Sequence, residues 1–511
     1  MTNTATGRAT GTAASNAAAS TWANPATSAG TAGRLSLASL DGVVHLVGIG
    51  GIGVSAVARL LLARGVQVRG SDVRASQLTE MLVALGADVR IGHHADHLDG
   101  VALVVRSTAI PATNPELIAA ALRGVPVIHR SEVLGMLLDD RDSVGVIGTH
   151  GKGTTAGAIA WLLDAAGWAP GYIIGGLLEN WRDNARDGAT WMVAEVDESD
   201  GSLVNTRPTV AILNNLELDH LNYYKDWAQL EETVERFFLA NDRLKIAVFN
   251  AGDEGARSMA ALVGPALRAR GVRVVTFGFV DDADVRGVEL SHERMRGRFE
   301  VRIGGPLAAQ NGDAVDAGVF EIALPGAYNA SNLLGAVAVA FAVGVPWPVI
   351  AAATPTYRGL ENRFTLVEAA GIEVVKDYIS HPTGIRRVLE AAAAQAEGEL
   401  VAVFKPYRFT MIHYLQDDYA EAFAKADRVV VTELYTAGEV PIPGVDTEML
   451  CGRIRERTAD VVYVHALADI PGHLEATTTA PATVLFFGGD DLFQMADRWI
   501  ATRLAAASLG K

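Results

Sequence analysis

Short apolar runs alternate along the chain with longer stretches of helical periodicity. Residues 43–47 form the first apolar run, a predicted strand, and it leads straight into Gly48-Ile-Gly-Gly-Ile-Gly53. A helical pattern follows over residues 55–64, and residues 66–72 read as a second strand ending in Asp72. Residues 101–105 make a third. The rhythm restarts at residues 143–147, a strand before Gly148-Thr-His-Gly-Lys-Gly-Thr-Thr155 and a helix reaching about residue 166. Strands are predicted at 191–196, 210–213, 246–250 and 272–277. A Gly-, Asp- and Arg-rich stretch at 281–320 reads as antiparallel strands, and 330–343 as a helix. A third series has strands at 372–376, 400–404, 428–431, 461–464 and 482–487, with helices at 384–394 and 414–424. Strands alternating with helices imply parallel sheets with right-handed crossovers. The predicted fold class is α/β, with three modules in series and no internal repeat.

The length agrees with that count, since 511 residues at about 150 per domain is more than one core can organise. The expected division is a tail over 1–36 and domains over 37–141, 142–362 and 363–511. The tail is rich in Ala, Thr, Ser and Gly, with Arg8, Arg34 and no acid. It has no apolar h-region, so it is no secretory signal. It fits a transit peptide weakly and reads as a disordered extension. No apolar run reaches the roughly 18 residues a membrane span needs. The net charge of −16, without a Lys/Arg cluster, argues against nucleic acid as a partner. Cys451 is the sole cysteine, so no internal disulfide can form, and a reducing cytoplasm is the expected location.

The second glycine loop carries candidate chemistry. Glycines let backbone N–H groups turn toward phosphate oxygens, and the helix that follows adds its positive end. Lys152 offers a point charge for the outer phosphates, and a neighbouring hydroxyl can hold Mg²⁺. The match to GxxxxGK[ST] is imperfect, because Val146 and Gly153 depart from it. Glu195-Val-Asp-Glu198-Ser-Asp200 and Asn215-Leu-Glu-Leu-Asp219-His220 each follow a predicted strand. Acids at strand C-terminal ends face the crevice where α/β sheets bind ligands. Mg²⁺ needs only one or two carboxylates beside phosphate oxygens. A solvated acidic loop and a structural histidine remain the plain alternatives. The first loop, Gly48-x-Gly-x-x-Gly53 with Asp72 further on, meets the dinucleotide-binding fingerprint. Alone it suggests an NAD-dependent oxidoreductase, although the same loop can hold any pyrophosphate.

Taken together these motifs resemble the Mur ligase family. Gly148-Thr-His-Gly-Lys152 is similar to the loop of Mur ligases and of the related folylpolyglutamate synthases, and within the family to the muramate–alanine ligases. The usual continuation is Thr-Thr; here Gly153-Thr154 is more like the folate enzymes' Gly-Ser. The resemblance implies ATP binding by Gly148, Thr149, His150, Gly151, Lys152, Gly153, Thr154 and Thr155. It implies magnesium binding by Thr154, Glu195 and His220, with Asp219 in support. Leu324-Pro-Gly-Ala-Tyr328-Asn-Ala-Ser-Asn332 resembles the family's Pro-Gly-x-His-Asn-x-x-Asn and implies that Asn332 lies near the adenine. Gly359-Leu-Glu-Asn-Arg363-Phe resembles the hinge motif, which implies that Arg363 reaches the phosphates. Residues 106–134 resemble the family's sugar-nucleotide domain. That implies UDP-N-acetylmuramate binding by Gly50, Gly51, Ile52 and Gly53, with Ser71, Asp72 and Ser107 close by.

In the third module Lys376-Asp377-Tyr-Ile-Ser380-His381-Pro-Thr383 resembles Asp-Asp-Tyr-x-His-His-Pro-Thr, adding Asp377 to the ATP-binding set. Phe404-Lys-Pro-Tyr-Arg408-Phe-Thr-Met411 resembles Phe-x-Pro-His-Arg-x-Thr-Arg and offers Arg408 for an amino acid carboxylate. Ser380 and Met411 replace a histidine and an arginine, which removes a charge partner for a carboxylate and leaves amino acid selection open. The implied architecture is a Rossmann-like first domain, a P-loop-type ATPase domain and a Rossmann-like third domain. The implied activity uses ATP and Mg²⁺ to add an amino acid, L-alanine, to UDP-N-acetylmuramate through an acyl phosphate, with Lys152, Glu195, His220 and Arg408 as the catalytic set. Asn214-Asn-Leu-Glu is closer to the murein-tripeptide ligases, so that activity stays open. So do a paralogue making a specialised peptide and an inactive nucleotide-binding scaffold.

Overall fold

The computed structural model describes residues 42–293, 295–304, 307–308, 315–458 and 460–509. The expected tail, residues 1–36, lies outside the described residues. Three sheets follow one another along the chain, each flanked by helices.

The first sheet contains β1 (Val43–Val47), β2 (Gln67–Asp72), β3 (Asp88–Ile91), β4 (Val101–Arg106) and β5 (Val127–His129), all parallel, in the order β3-β2-β1-β4-β5. Strand order reverses about β1, so the glycine loop after it opens at the switch point where such sheets bind ligands. β3 and β5 lie outside the predicted set. Both are short edge strands, and the Asp88-Val-Arg-Ile of β3 carries no apolar run.

The second sheet has ten strands: β6 (Asp142–Ile147), β7 (Gly171–Leu178), β8 (Asp183–Arg186), β9 (Trp191–Glu195), β10 (Val210–Leu213), β11 (Ile246–Asn250), β12 (Arg273–Gly278), β13 (Val285–Glu293), β14 (Arg296–Ile303) and β15 (Val315–Ile322). Their order is β15-β14-β13-β12-β11-β10-β6-β9-β7-β8. β10 and β11 are buried throughout, as central parallel strands covered on both faces must be. The stretch read as antiparallel forms β13–β15, with β13–β14 and β14–β15 antiparallel. The helices Lys152–Ala165 and Ala327–Ala342 pack together on one face.

The third sheet runs β16-β17-β21-β18-β19-β20, from β16 (Thr365–Ala369), β17 (Ile372–Asp377), β18 (Glu399–Phe404), β19 (Arg428–Val431), β20 (Asp460–Tyr463) and β21 (Ala482–Phe487). The unpredicted β16 pairs antiparallel with β17 across Ala370 and Gly371, whose φ values are 52° and 80°. Two successive positive φ values make the turn that matches strand twist in a two-residue hairpin. Ala-Gly is a weaker signal for it than Asn-Gly. Cys451 is buried, and burial pushes its thiol up to about 11. No helix among the described residues is long and apolar enough to cross a membrane.

Candidate active site

The phosphate-type loop leaves β6 and enters the helix Lys152–Ala165 through Gly151, a left-handed residue at φ 75°. A Cβ there would collide with the Asn332 amide, so only glycine lets the helix Ala327–Ala342 approach the loop. Asn332 therefore sits against the phosphate end of the loop. Asn215 clasps the turn from the other side, accepting from the His150 N–H at 2.7 Å and donating to its carbonyl at 2.9 Å. Thr149 is anchored to the backbone of Glu217, its hydroxyl donating at 3.1 Å and accepting at 3.0 Å.

Lys152 turns back over the loop. Its ammonium donates to the Gly148 carbonyl at 2.7 Å and lies 2.9 Å from the Glu198 carboxylate. Burial alone would lower its pKa, but Glu198, Asp197 and Glu195 outweigh that and raise it, so Lys152 is a cation. Glu198 is buried and also lies 3.4 Å from His220 Nε2. One carboxylate thus joins the lysine of the loop to the histidine after β10. Burial pulls the His220 pKa down, whereas Glu198 and Asp219 together raise it.

Glu195 ends β9. It accepts the Gly175 N–H at 2.7 Å through Oε2, and among the described residues its Oε1 makes no hydrogen bond. The departure at Gly153 has a physical reason here. A Cβ on Gly153 would stand 3.1 Å from Glu195 Oε2 and 2.8 Å from Leu360 Cδ1, so glycine lets the carboxylate lie against the first helical turn. Thr154 follows in the same turn, with its carbonyl accepting from the Tyr357 hydroxyl at 3.0 Å. The donor set of an open carboxylate oxygen, an imidazole and a hydroxyl suits a hard divalent cation beside phosphate oxygens. Thr155 faces inward: it is buried, and its hydroxyl accepts from Asn214 at 2.8 Å.

The acidic loop after β9 also reaches the first domain. Asp197 pairs with Arg130 at 2.9 Å, and Asp200 accepts from the Thr108 hydroxyl at 2.9 Å, next to Ser107. Burial opposes ionisation of Asp197, but Lys152 and Arg130 prevail and hold its carboxyl at about 2. In the first glycine loop, Gly48 has φ 74° and the Gly50 N–H is held by Asp72 Oδ2 at 2.9 Å. Gly51 caps the helix Ile52–Ala63, which includes Gly53. Ser71 meets this loop through its backbone, its carbonyl accepting from the Gly48 and Ile49 N–H groups at 2.8 and 2.9 Å, while its side chain turns inward. It is fully buried and donates to Glu116 at 2.6 Å, inside a cluster with His45, His93 and His97.

In the third domain Asp377 is buried and accepts from Phe364 and Ile379 N–H groups, each at 2.9 Å. Burial raises its pKa; Arg363, 3.5 Å away and half-exposed, opposes this. Arg408 has φ 65° and lies 3.8 Å from Glu439 and over the Tyr407 ring. Its side-chain partners all belong to the third domain, so the structure does not bring it into the Lys152–Glu198–His220 group. Glu198, Asn215 and Glu217 stand at the centre of the site although none was singled out from sequence. Their signal was position, since all three occupy the two strand-end motifs. Glu217 joins His150 and, across the domain boundary, Thr383 at 3.1 Å and His381 at 3.4 Å.

Three family profiles match in sequence order: "Mur ligase family, catalytic domain" over residues 43–142, "Mur ligase middle domain" over 146–340 and "Mur ligase, glutamate ligase domain" over 362–489. A UDP-N-acetylmuramate–L-alanine ligase of Streptomyces avermitilis is 38% identical over 461 residues, covering 89% of this chain and 96% of its own. One from Cereibacter sphaeroides is 40% identical, covering 80% and 85%. The crystal structure of the UDP-N-acetylmuramate-alanine ligase of Thermotoga maritima superimposes with a TM-score of 0.74 at 26% identity, over 91% of this chain and all of that one. A murein peptide ligase of Psychrobacter arcticus shares the fold, with a TM-score of 0.65 at 22% identity, over 91% of this chain and 99% of its own.

Proposed function

The chain belongs to the Mur ligase family, and from that premise we propose that it joins L-alanine to the carboxylate of UDP-N-acetylmuramate at the expense of ATP, in the cytoplasm. The relatives that match over 80–89% of this chain carry that activity in their names. The observation that carries the reading is the Lys152–Glu198–His220 chain of contacts at the mouth of a phosphate-type loop, with Glu195 beside it.

The glycine loop at the switch point of the first sheet would cradle the pyrophosphate of the sugar nucleotide, aligned by the Asp72–Gly50 contact. The second loop would hold the triphosphate through its backbone N–H groups. Attack of the muramyl carboxylate on the γ-phosphorus forms an acyl phosphate and releases ADP. Phosphoryl transfer is governed by positioning and charge, and Lys152 would leave Glu198 for the phosphate oxygens as negative charge spreads over them. Thr154, Glu195 and His220 would hold Mg²⁺, which neutralises phosphate charge. The amine of the amino acid then displaces phosphate from the acyl carbon. Arg408, on the third domain, would receive the amino acid carboxylate when that domain closes, a movement that also excludes water from the acyl phosphate.

A second reading, ligation of a murein tripeptide, rests on Asn214-Asn-Leu-Glu and Thr410-Met411, where the chain departs from the alanine-ligase pattern. Phosphate release measured with UDP-N-acetylmuramate, ATP and each of the twenty amino acids, then with free tripeptide, tests both. Release with L-alanine supports the first reading. Release only with the free tripeptide replaces it with the second, and ATP-independent NADH oxidation would remove both.

A further inference from the structure

Beyond the contacts assigned to the triphosphate, one cluster spans two domains: His150 of the phosphate loop, Glu217 after β10, and His381 at the cap of the third-domain helix Pro382–Ala393. Both imidazoles aim a nitrogen at the same carboxylate oxygen. His150 Nε2 meets Glu217 Oε1 at short range, and His381 Nδ1 lies 3.4 Å from it. The ligand atoms of the three side chains all lie within 4.8 Å of one another.

Proton placement gives the cluster its meaning. His381 Nδ1 accepts the Thr383 backbone N–H at 3.4 Å, so it presents a lone pair. The Thr383 contact is long enough for a metal ion to displace it, and the same nitrogen lies 3.4 Å from Glu217 Oε1, itself an acceptor. The proton of the ring is then on Nε2, which is buried without a hydrogen-bond partner. Two acceptors facing each other at 3.4 Å are a poor hydrogen bond and a good pair of metal ligands. A tetrahedral ion about 2.0–2.1 Å from each donor separates its ligands by about 3.3 Å. Glu217 is one-third exposed, so its carboxylate can rotate to widen the tighter His150 contact. Burial keeps the His381 imidazole neutral, lowering its pKa although Asp219 and Glu217 oppose this, and a neutral imidazole is the form that binds a metal.

We propose that His150, Glu217 and His381 form a binding site for an imidazole-preferring divalent cation, zinc or a similar ion, that ties the phosphate loop to the third domain. Two imidazoles and one carboxylate are a zinc ligand set with a fourth position open to water, whereas magnesium selects oxygen ligands. The site is separate from Thr154, Glu195 and His220, and it does not depend on the ligase reading, because its readout is metal binding.

The test is a cobalt(II) titration of the full chain with magnesium in excess and no nucleotide, read by the visible absorption of tetrahedral cobalt. One equivalent should bind and be displaced by zinc. Affinity should fall at least about tenfold in Glu217→Gln and in His381→Ala, since even outer partners of metal ligands cost that much. It should persist in His220→Ala. Far-ultraviolet circular dichroism shows whether each variant is folded; should His381→Ala unfold, His150→Gln is read in its place. Zinc should raise the melting temperature of the natural protein and not that of Glu217→Gln. Absence of tetrahedral bands, their survival in Glu217→Gln and His381→Ala, or their loss in His220→Ala would each overturn the proposal.

Discussion

Replacing Lys152 with methionine separates two roles of one side chain. In the free protein its ammonium lies 2.9 Å from Glu198, which is 2% exposed. Removing one partner of a buried ion pair leaves the other charge stranded, at a cost of about 3–5 kcal/mol. His220, 3.4 Å from the same carboxylate, offsets part of this, which favours the lower end. For a domain of this size each kcal/mol lowers the melting temperature by about 2–4 °C, so Lys152→Met should melt about 6–20 °C below the natural protein. Phosphate release should drop by a factor of about 10²–10³ or more, the usual cost of removing one group that stabilises transition-state charge. The double variant Lys152→Met/Glu198→Gln removes the stranded charge. It should recover most of the lost melting temperature and none of the lost turnover. Differential scanning calorimetry and a coupled phosphate assay read the two effects separately. If the single variant melts with the natural protein, the ion pair is not buried as described. If the double variant regains turnover, Lys152 does not act on the phosphates.

Gly151→Ala places a methyl group on the Asn332 amide at a positive φ, which should cost about 1–3 kcal/mol in stability and weaken nucleotide binding measured by calorimetry. Asp72→Ala frees the Gly50 N–H and should raise KM for the sugar nucleotide with kcat little changed, as seen in initial rates. Glu116 is opposed by burial, but His45, Ser71 and His97 hold its carboxyl at about 2 against an ordinary 4.5. A folded-state pKa below the unfolded one stabilises the protein above pH 4.5 and loses that effect as pH falls from 4.5 toward 2. Acid unfolding followed by intrinsic fluorescence should therefore be shallower across that range in Glu116→Gln, and identical slopes would remove Glu116 as its source.

Much of the fold was legible because its central strands are unbroken apolar runs. β1, β10, β11, β19 and β21 stand where the runs stand, since strands buried on both faces have no polar face to blur the signal. β3, β5 and β16 were missed for the converse reason: they are short or lie at sheet edges, and tertiary pairing fixes them. The site was legible as a set of loops but not as a set of contacts. The strand-end positions of Glu195 and His220 could be read, whereas the choice of Glu198 as the residue that holds Lys152 could not. That choice depends on how the loop after β9 bends, and within Glu-Val-Asp-Glu-Ser-Asp one acid looks like another. Ser71 shows the same limit: its place at the end of β2, against the first loop, could be read, whereas the inward turn of its hydroxyl onto Glu116 could not.

The five residues that follow β9 hold three things at once. Glu198 grips the loop lysine, Asp197 grips Arg130, and Asp200 grips Thr108. A segment so short cannot shift at one end and stay still at the other. On the proposed function, thermodynamic reciprocity then sets a bound on the enzyme's economy: whatever factor an occupied first domain adds to the affinity for the triphosphate, an occupied central domain must return to the sugar nucleotide. A hybrid that grafts the first domain of a relative onto this chain without its matching arginine and threonine would break that exchange while leaving both loops intact.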